Sequence, residues 1–486
     1  MNFHIGAIDL LLVSPLIALF LFSLLPISIK TFVNNNKEPR QALTLTYGIM
    51  GLVTCLGLLT VFSGAGKMAF NNMLIFDGLT FWMSLISLIA AMVSLFLMHE
   101  NPSTSGRQFS ELVFLTLGST LGLIIFTAAA DLMMVFIGME IMSLSLYLMI
   151  ALSHEEKVSK EASFKYFVMG SFSSAIFLYG MALIYGASKT TQIYEIFNQS
   201  SQLMSQSPMF LIGLCLVLVG LLFKISVFPF HFWTPDVYQG APTPHTSYMS
   251  TAVKAASFAV LLRVVASTSL NESENLIDVL QWLAVLTMTI GNVTAIVQKS
   301  LKRMLAYSSV AHSGYLLVGV IAVAVSETRA TSASAVVFYL FGYAIMTLAA
   351  FAVVSILEKN EYTDIKVDDL AGLSKKRPLI SLSFAILMLS LAGIPPTLGF
   401  FGKFYLFNAA LGEGLVWLTI WGVINSVISA YYYLRPLVAM YMKSGDADIA
   451  EHSIVSSRSA ILLLSAAALL IGLISSPIFQ AIESAL

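Results

Sequence analysis

Apolar runs about twenty residues long recur throughout this 486-residue chain, and they limit its fold more than any other feature. Twenty residues of α-helix rise about 30 Å, the thickness of a bilayer's hydrocarbon core. No water satisfies backbone N–H and C=O groups in that layer, so only helices and closed barrels cross it. Only 10% of residues are charged and 58% are hydrophobic, whereas soluble domains carry about 25% charge. The expectation is an all-α polytopic membrane protein.

Cutting at Gly, Pro and polar clusters gives fourteen expected spans: 8–29, 42–62, 75–98, 111–129, 132–152, 164–185, 209–230, 246–267, 276–297, 304–324, 332–357, 379–409, 415–437 and 460–482. The first lacks a basic leader and a small-x-small cleavage site, so it reads as a retained helix. The twelfth is too long for one straight crossing, and its Gly393-Ile394-Pro395-Pro396 marks a broken helix. Seventeen of the 25 Lys and Arg, Arg107 among them, fall in the loops of one side; Lys67, Lys189 and Arg329 fall in those of the other. The positive-inside rule then places both termini outside.

A spacing recurs along the chain. Glu111, where the fourth span begins, precedes the break at Pro229 by 118 residues (229 − 111), and Leu276 precedes Pro395 by 119 (395 − 276). Each unit holds five spans, an odd number, so the second is inverted in the membrane. The expected organisation is a three-helix N-terminal segment (1–110), a five-helix repeat (111–270), an inverted five-helix repeat (271–440), and a C-terminal loop and helix (441–486). Each repeat contains one broken helix.

The remaining five cations, Lys165, Lys224, Lys254, Arg263 and Lys403, lie within spans. Glu140 is the one carboxylate well inside a span, ~12 Å deep at 1.5 Å per residue. Charge in hydrocarbon costs a few kcal/mol even on lenient scales, and lysine loads and releases a proton readily when buried. Together these residues form a candidate proton path. Each also has a plainer reading. Lys224 and Lys165 could be snorkelling cations, Glu140 and Lys254 members of a structural ion pair, and Arg263 an anchor at its helix end. His231, His245 and His312 titrate near neutral pH and could relay protons, or serve as hydrogen-bonded structural residues. Asp236 is expected to pin its turn, and Asp77 and Asp131 to be hydrated at span ends.

Other chemistry is not supported. A net charge of −1 leaves no basic face for nucleic acid. Cys55 and Cys215 form neither a disulfide frame nor a cluster motif, and no glycine-rich phosphate loop follows a strand. No redox centre is expected in this chain.

The segment HFWTPDVYQGAPTP, preceded by FKISVFPF, closely resembles the signature of the subunit N family of proton-pumping NADH:quinone oxidoreductases (respiratory complex I). KRMLAYSSVAHSGYLL, SLAGIPPTLGFFGKFYLF and FIGMEIMSLSLY resemble the same family. Lys403 stands where the M-type subunit typically has glutamate, and a chain that ends soon after its fourteenth expected span is expected to differ from the longer L-type. The resemblance implies an antiporter-like module of a bacterial inner membrane, with both termini periplasmic and two inverted five-helix repeats. It implies that Glu140 pairs with Lys224, that Lys254 links to Lys403, and that Lys165 is a further family lysine; His231 and His312 remain possible relay groups. FMN, iron–sulfur clusters and the quinone site would belong to partner subunits, with K-type and M-type subunits as neighbours. The expected function is a proton-translocating subunit with no redox centre of its own. The alternatives are a subunit of a multisubunit Na⁺/H⁺ antiporter and a non-transporting membrane scaffold.

Overall fold

The computed structural model describes residues 6–33, 37–62, 66–105, 108–153, 157–268, 270, 273–326, 329–359, 364–445, 447 and 455–486; Arg107 lies outside them. Helix α1 (Ala7–Ser28, extended by a π-turn over Ile29–Val33) and α2 (Gln41–Phe62) lead into a small antiparallel hairpin, β1 (Lys67–Ala69) with β2 (Leu74–Phe76). Four long apolar rods follow: α3 (Gly78–Glu100), α4 (Phe109–Ala128), α5 (Leu132–Ser153) and α6 (Lys157–Ser188). The amphipathic α7 (Ile193–Gln206) meets α8 (Pro208–Lys224) at a bend of 114°. After an irregular stretch come α9 (Trp233–Gly240) and α10 (Thr243–Tyr248), then a π-turn (Met249–Val253) and α11 (Lys254–Ala266); α10 to α11 form one span. Helices α12 (Glu274–Val297), α13 (Leu301–Val325) and α14 (Arg329–Leu357) precede a 3-10 turn (Val367–Leu370) and the short α15 (Leu373–Lys376). The order finishes with α16 (Pro378–Ala392), α17 (Leu398–Gly412), α18 (Val416–Met442), α19 (Val455–Leu473) and α20 (Ser475–Glu483).

Among the described residues, 11 spans are long and apolar enough to cross a membrane, or 12 if α7 and α8 form one bent span, against the fourteen expected. The difference falls on the two interrupted segments and on α18. Helix α8 has 17 residues and α16 and α17 have 15 each, at or below the length of a full crossing. Helix α18 has 27 residues, but Asn425, Ser426, Ser429, four tyrosines and Arg435 dilute its apolarity. Helices α13 and α14 and the α10–α11 span are buried nearly all round, whereas most residues of α1, α2 and α19 are not buried. Apolarity on every face is what a central helix requires.

Two local devices occur twice. Leu132 and Ile193 exchange backbone hydrogen bonds with Thr191 and Ala130, joining the start of α5 to the segment after α6. Leu301 and Val367 do the same with Ile365 and Lys299, joining the start of α13 to the segment after α14. The second device ends α8 and α16. Ser226 N–H bonds Phe223 O and Val227 N–H bonds Leu222 O; Gly393 N–H bonds Ser390 O and Ile394 N–H bonds Leu389 O. These are paired 5→2 and 6→1 bonds that close a helix through a left-handed residue. Gly393 takes φ +87° at no steric cost, and Ser226 takes φ +62°. Helix α8 therefore stops at Lys224, five residues ahead of Pro229, the expected break.

Candidate functional site

The two helix stops organise the buried lysines. Lys224 is the last residue of α8, and its Nζ donates to Ser143 Oγ on α5 at 2.8 Å. Lys403 lies beyond the second break, in the second turn of α17, yet its Nζ reaches back to Ala392 O at 3.0 Å. Both lysines therefore belong to the carbonyl end of an interrupted helix, where the helix dipole favours a cation. Lys403 also donates to Ser426 Oγ at 2.9 Å and lies 5.0 Å from the Tyr315 ring centroid. Lys254 opens α11 directly after the π-turn, a helix irregularity common at functional sites. Its Nζ is 2.5 Å from both Ser309 O and Ser309 Oγ, and 5.5 Å from the Tyr343 ring centroid. All three lysines are buried.

Glu140 is half-buried on α5, one turn before Ser143, and its Oε1 has no hydrogen-bond partner. Lys224 bonds Ser143 rather than the carboxylate, so the expected Glu140–Lys224 pair faces its partner across one helical turn without direct contact. Glu140 continues the stripe of Met133, Ile137, Leu144 and Leu148, which are all exposed on the outside of α5. Tyr147 lies on the same helix and packs edge-on against Tyr166 at 4.7 Å. Neither tyrosine hydroxyl has a hydrogen-bond partner.

A belt of hydroxyls and one imidazole on and around α13 fills the interval between Lys254 and Lys403. Tyr343 donates to Ser309 Oγ at 2.8 Å. His312, buried one turn along, has Nδ1 2.6 Å from Tyr339 OH and Nε2 2.9 Å from Tyr433 OH, and Tyr433 in turn bonds Ser308. Ser313 Oγ bonds Ile225 O at 2.5 Å, so the same turn of α13 touches the stop that follows Lys224. Among the described residues, direct hydrogen bonds do not run unbroken from Lys224 to Lys403.

The other expected residues lie off this line. Lys165 is part-exposed, 2.8 Å from Glu161 and 3.1 Å from Asp236. Arg303 holds the second Asp236 oxygen at 2.8 Å and also Gln239, so Asp236 is pinned from two sides. Burial opposes ionisation of Asp236, but its bonds from Arg303 and Lys165 outweigh that and hold the carboxyl below the ordinary aspartate range. His231 is buried beside the first break, stacked on Phe232 at 4.5 Å, with Nδ1 unbonded. His245 is buried in α10. Asp77 is not simply hydrated: Arg263 grips both its oxygens at 2.7 Å. Asp131 is buried and accepts from Met133 N and the Thr191 hydroxyl.

Ser143, Ser309, Ser313, Tyr339, Tyr343 and Tyr433 carry contacts that the sequence reading passed over. Their signal was present as polar residues three and four apart within apolar runs, as in Ser309, His312 and Ser313. Among the described residues no group of three or more His, Cys, Asp or Glu could hold a metal ion.

Comparison with known proteins agrees with this geometry. Residues 129–429 match the family model described as NADH:quinone oxidoreductase/Mrp antiporter, transmembrane. The chain is 56% identical over 486 residues, 100% of both chains, to NADH-quinone oxidoreductase subunit N of Bdellovibrio bacteriovorus. It is 40% identical over 481 residues to that of Trichlorobacter lovleyi, covering 98% of this chain and 97% of the relative. Among solved structures it matches a chain of respiratory complex I from Thermus thermophilus with bound aureothin, at TM-score 0.83 and 32% identity, over 97% of this chain and 100% of that one. A chain of the Mrp complex from Dietzia sp. shares the fold at TM-score 0.84 and 21% identity, over 99% and 97%. The fold, the interrupted helices and full-length relatives agree, and the chain belongs to the antiporter-like subunit N family of NADH-quinone oxidoreductase.

Proposed function

We propose that this chain translocates protons through Glu140, Lys224, Lys254 and Lys403, driven by redox chemistry in partner subunits that hold the FMN, iron–sulfur clusters and quinone. The observation that carries the reading is the kind of partner each lysine has. Lys224, Lys254 and Lys403 bond serine hydroxyls, with backbone carbonyls at the last two, and none of these partners is a carboxylate. A hydroxyl accepts from an ammonium and can donate to a neutral amine. Both protonation states therefore keep a partner, as a relay needs and a fixed ion pair does not. Glu140, one turn from the Lys224 contact, biases that lysine by charge. When the Glu140–Lys224 interaction weakens, the proton is free to pass towards Lys254 and, through the α13 belt, to Lys403. His312 lies along this route, while Lys165, held by Glu161 and Asp236, and His231 lie beside its first half. Moving a charge against the membrane potential requires about 2.3 kcal/mol per 100 mV, which a redox partner must supply.

The exposed stripe that includes Glu140 would be covered by a neighbouring membrane subunit of K type, with an M-type subunit on the opposite side. In this reading the termini face the periplasm. The test is NADH-driven proton pumping in membranes carrying Lys254→Met, with assembly checked by native electrophoresis. A loss of roughly tenfold or more per assembled complex is expected, on the scale of a removed proton-transfer group. Wild-type pumping would assign Lys254 a structural role.

A further inference from the structure

A second buried lysine and carboxylate lie apart from the proposed relay. Lys302 is in the first turn of α13 and Glu358 directly follows α14; their side chains are 7% and 6% exposed, with Nζ 3.9 Å from Oε1. Both grip the turn between α9 and α10. Lys302 Nζ donates to Ala241 O at 2.7 Å, and the Thr243 hydroxyl donates to Glu358 Oε1 at 2.5 Å. Glu358 Oε2 accepts from Asn101 Nδ2 at 2.8 Å, and Asn101 also bonds Ser355 Oγ at 2.8 Å. The end of α3, the α9–α10 turn, the start of α13 and the end of α14 thus meet at one charged knot. Desolvation offsets much of what a buried ion pair gains, so its value lies more in fixing position than in adding stability.

What the knot fixes is the first residue of the helix that carries Lys254. Thr243 opens α10, and Lys254 stands eleven residues later (254 − 243), beyond the π-turn. Helix α13 meets the turn ahead of that helix through Lys302 on Ala241 O, and the helix itself through Ser309 on Lys254 Nζ. Lys302 and Ser309 are seven residues apart (309 − 302), two turns on one face of α13. A slip of the α10 start would turn Lys254 away from Ser309 by about 100° per residue.

We propose that Lys302 and Glu358 are positioning residues for Lys254, bracing the α9–α10 turn so that the Lys254 ammonium meets Ser309 in register. This rests on the reading of Lys254 as a relay group. Neither residue exchanges the translocated proton; both act through Lys254.

The experiment measures NADH-driven pumping per assembled complex for Glu358→Gln, Glu358→Asp and Lys302→Met, and for Glu358→Gln combined with Lys254→Arg. Glu358→Gln and Lys302→Met each lower pumping by about fivefold or more, the lower end of an allosteric coupling. Glu358→Asp restores most of it. In the Lys254→Arg background, Glu358→Gln adds less than about twofold, because its target is already altered. A purely structural pair would reduce the amount of assembled complex and leave pumping per complex unchanged. Should a single variant fail to assemble, Lys302→Met with Glu358→Gln leaves no unpaired charge and gives the same readout. Wild-type pumping per complex in both single variants overturns the proposal, as does an undiminished effect of Glu358→Gln in the Lys254→Arg background. Wild-type pumping in Lys254→Arg alone would overturn it by a different route, removing the relay reading without involving Glu358.

Discussion

Serine is the residue that recurs beside the buried ammonium groups: Ser143 at Lys224, Ser309 at Lys254 and Ser426 at Lys403. Each hydroxyl can rotate to serve either protonation state, which an amide or a carboxylate does less well. Ser143→Ala is therefore expected to slow NADH-driven pumping several-fold with the complex intact, while Ser143→Thr, which keeps a hydroxyl, retains most of it. Lys224→Arg is expected to restore assembly but little pumping, since arginine keeps the charge and holds its proton. Full pumping in Lys224→Arg membranes would make Lys224 a structural cation. The lysines were legible in the sequence because charge inside an apolar run is conspicuous. Their serines were not, because serine is tolerated in such runs without comment and gains meaning only from what faces it.

Interrupted helices make the site possible. A half-helix that stops inside the bundle leaves carbonyls without intrahelical partners, and here Ala392 O receives the Lys403 ammonium. The apparent asymmetry of the two halves, one lysine before its break and one after, disappears at this level, because Lys403 folds back to the same kind of helix end that Lys224 occupies. Gly393 is the least replaceable residue of the second stop. It takes φ +87°, and an added Cβ would meet Lys403 Cδ at 3.1 Å and Nζ at 3.3 Å. Gly393→Ala is expected to cost about 1–2 kcal/mol from the left-handed backbone alone and to displace Lys403. Thermal denaturation of the purified complex and its pumping rate should fall together; an unchanged rate would show that Lys403 has room to spare. Proline marked the breaks in the sequence, yet the first stop lies at Lys224, because a left-handed serine (Ser226) closes α8 before Pro229 is reached. Proline signals where a helix is unable to continue and says less about where it ends.

Across the whole molecule, one tether and one helix stop recur in equivalent form, and the buried α13 touches the first stop, Lys254 and the histidine belt. Span number was the less legible quantity, since the segments that fall short are the short half-helices α8, α16 and α17 and the polar-diluted α18. In the proposed relay the buried charges of both halves act as one path rather than as two independent structural sites. The direct measurement is a double-mutant cycle between Lys224→Met and Lys403→Met, read as NADH-driven pumping per assembled complex. A single relay predicts that the double variant is little worse than the more damaging single one, a strong non-additivity. Losses that multiply independently would contradict it.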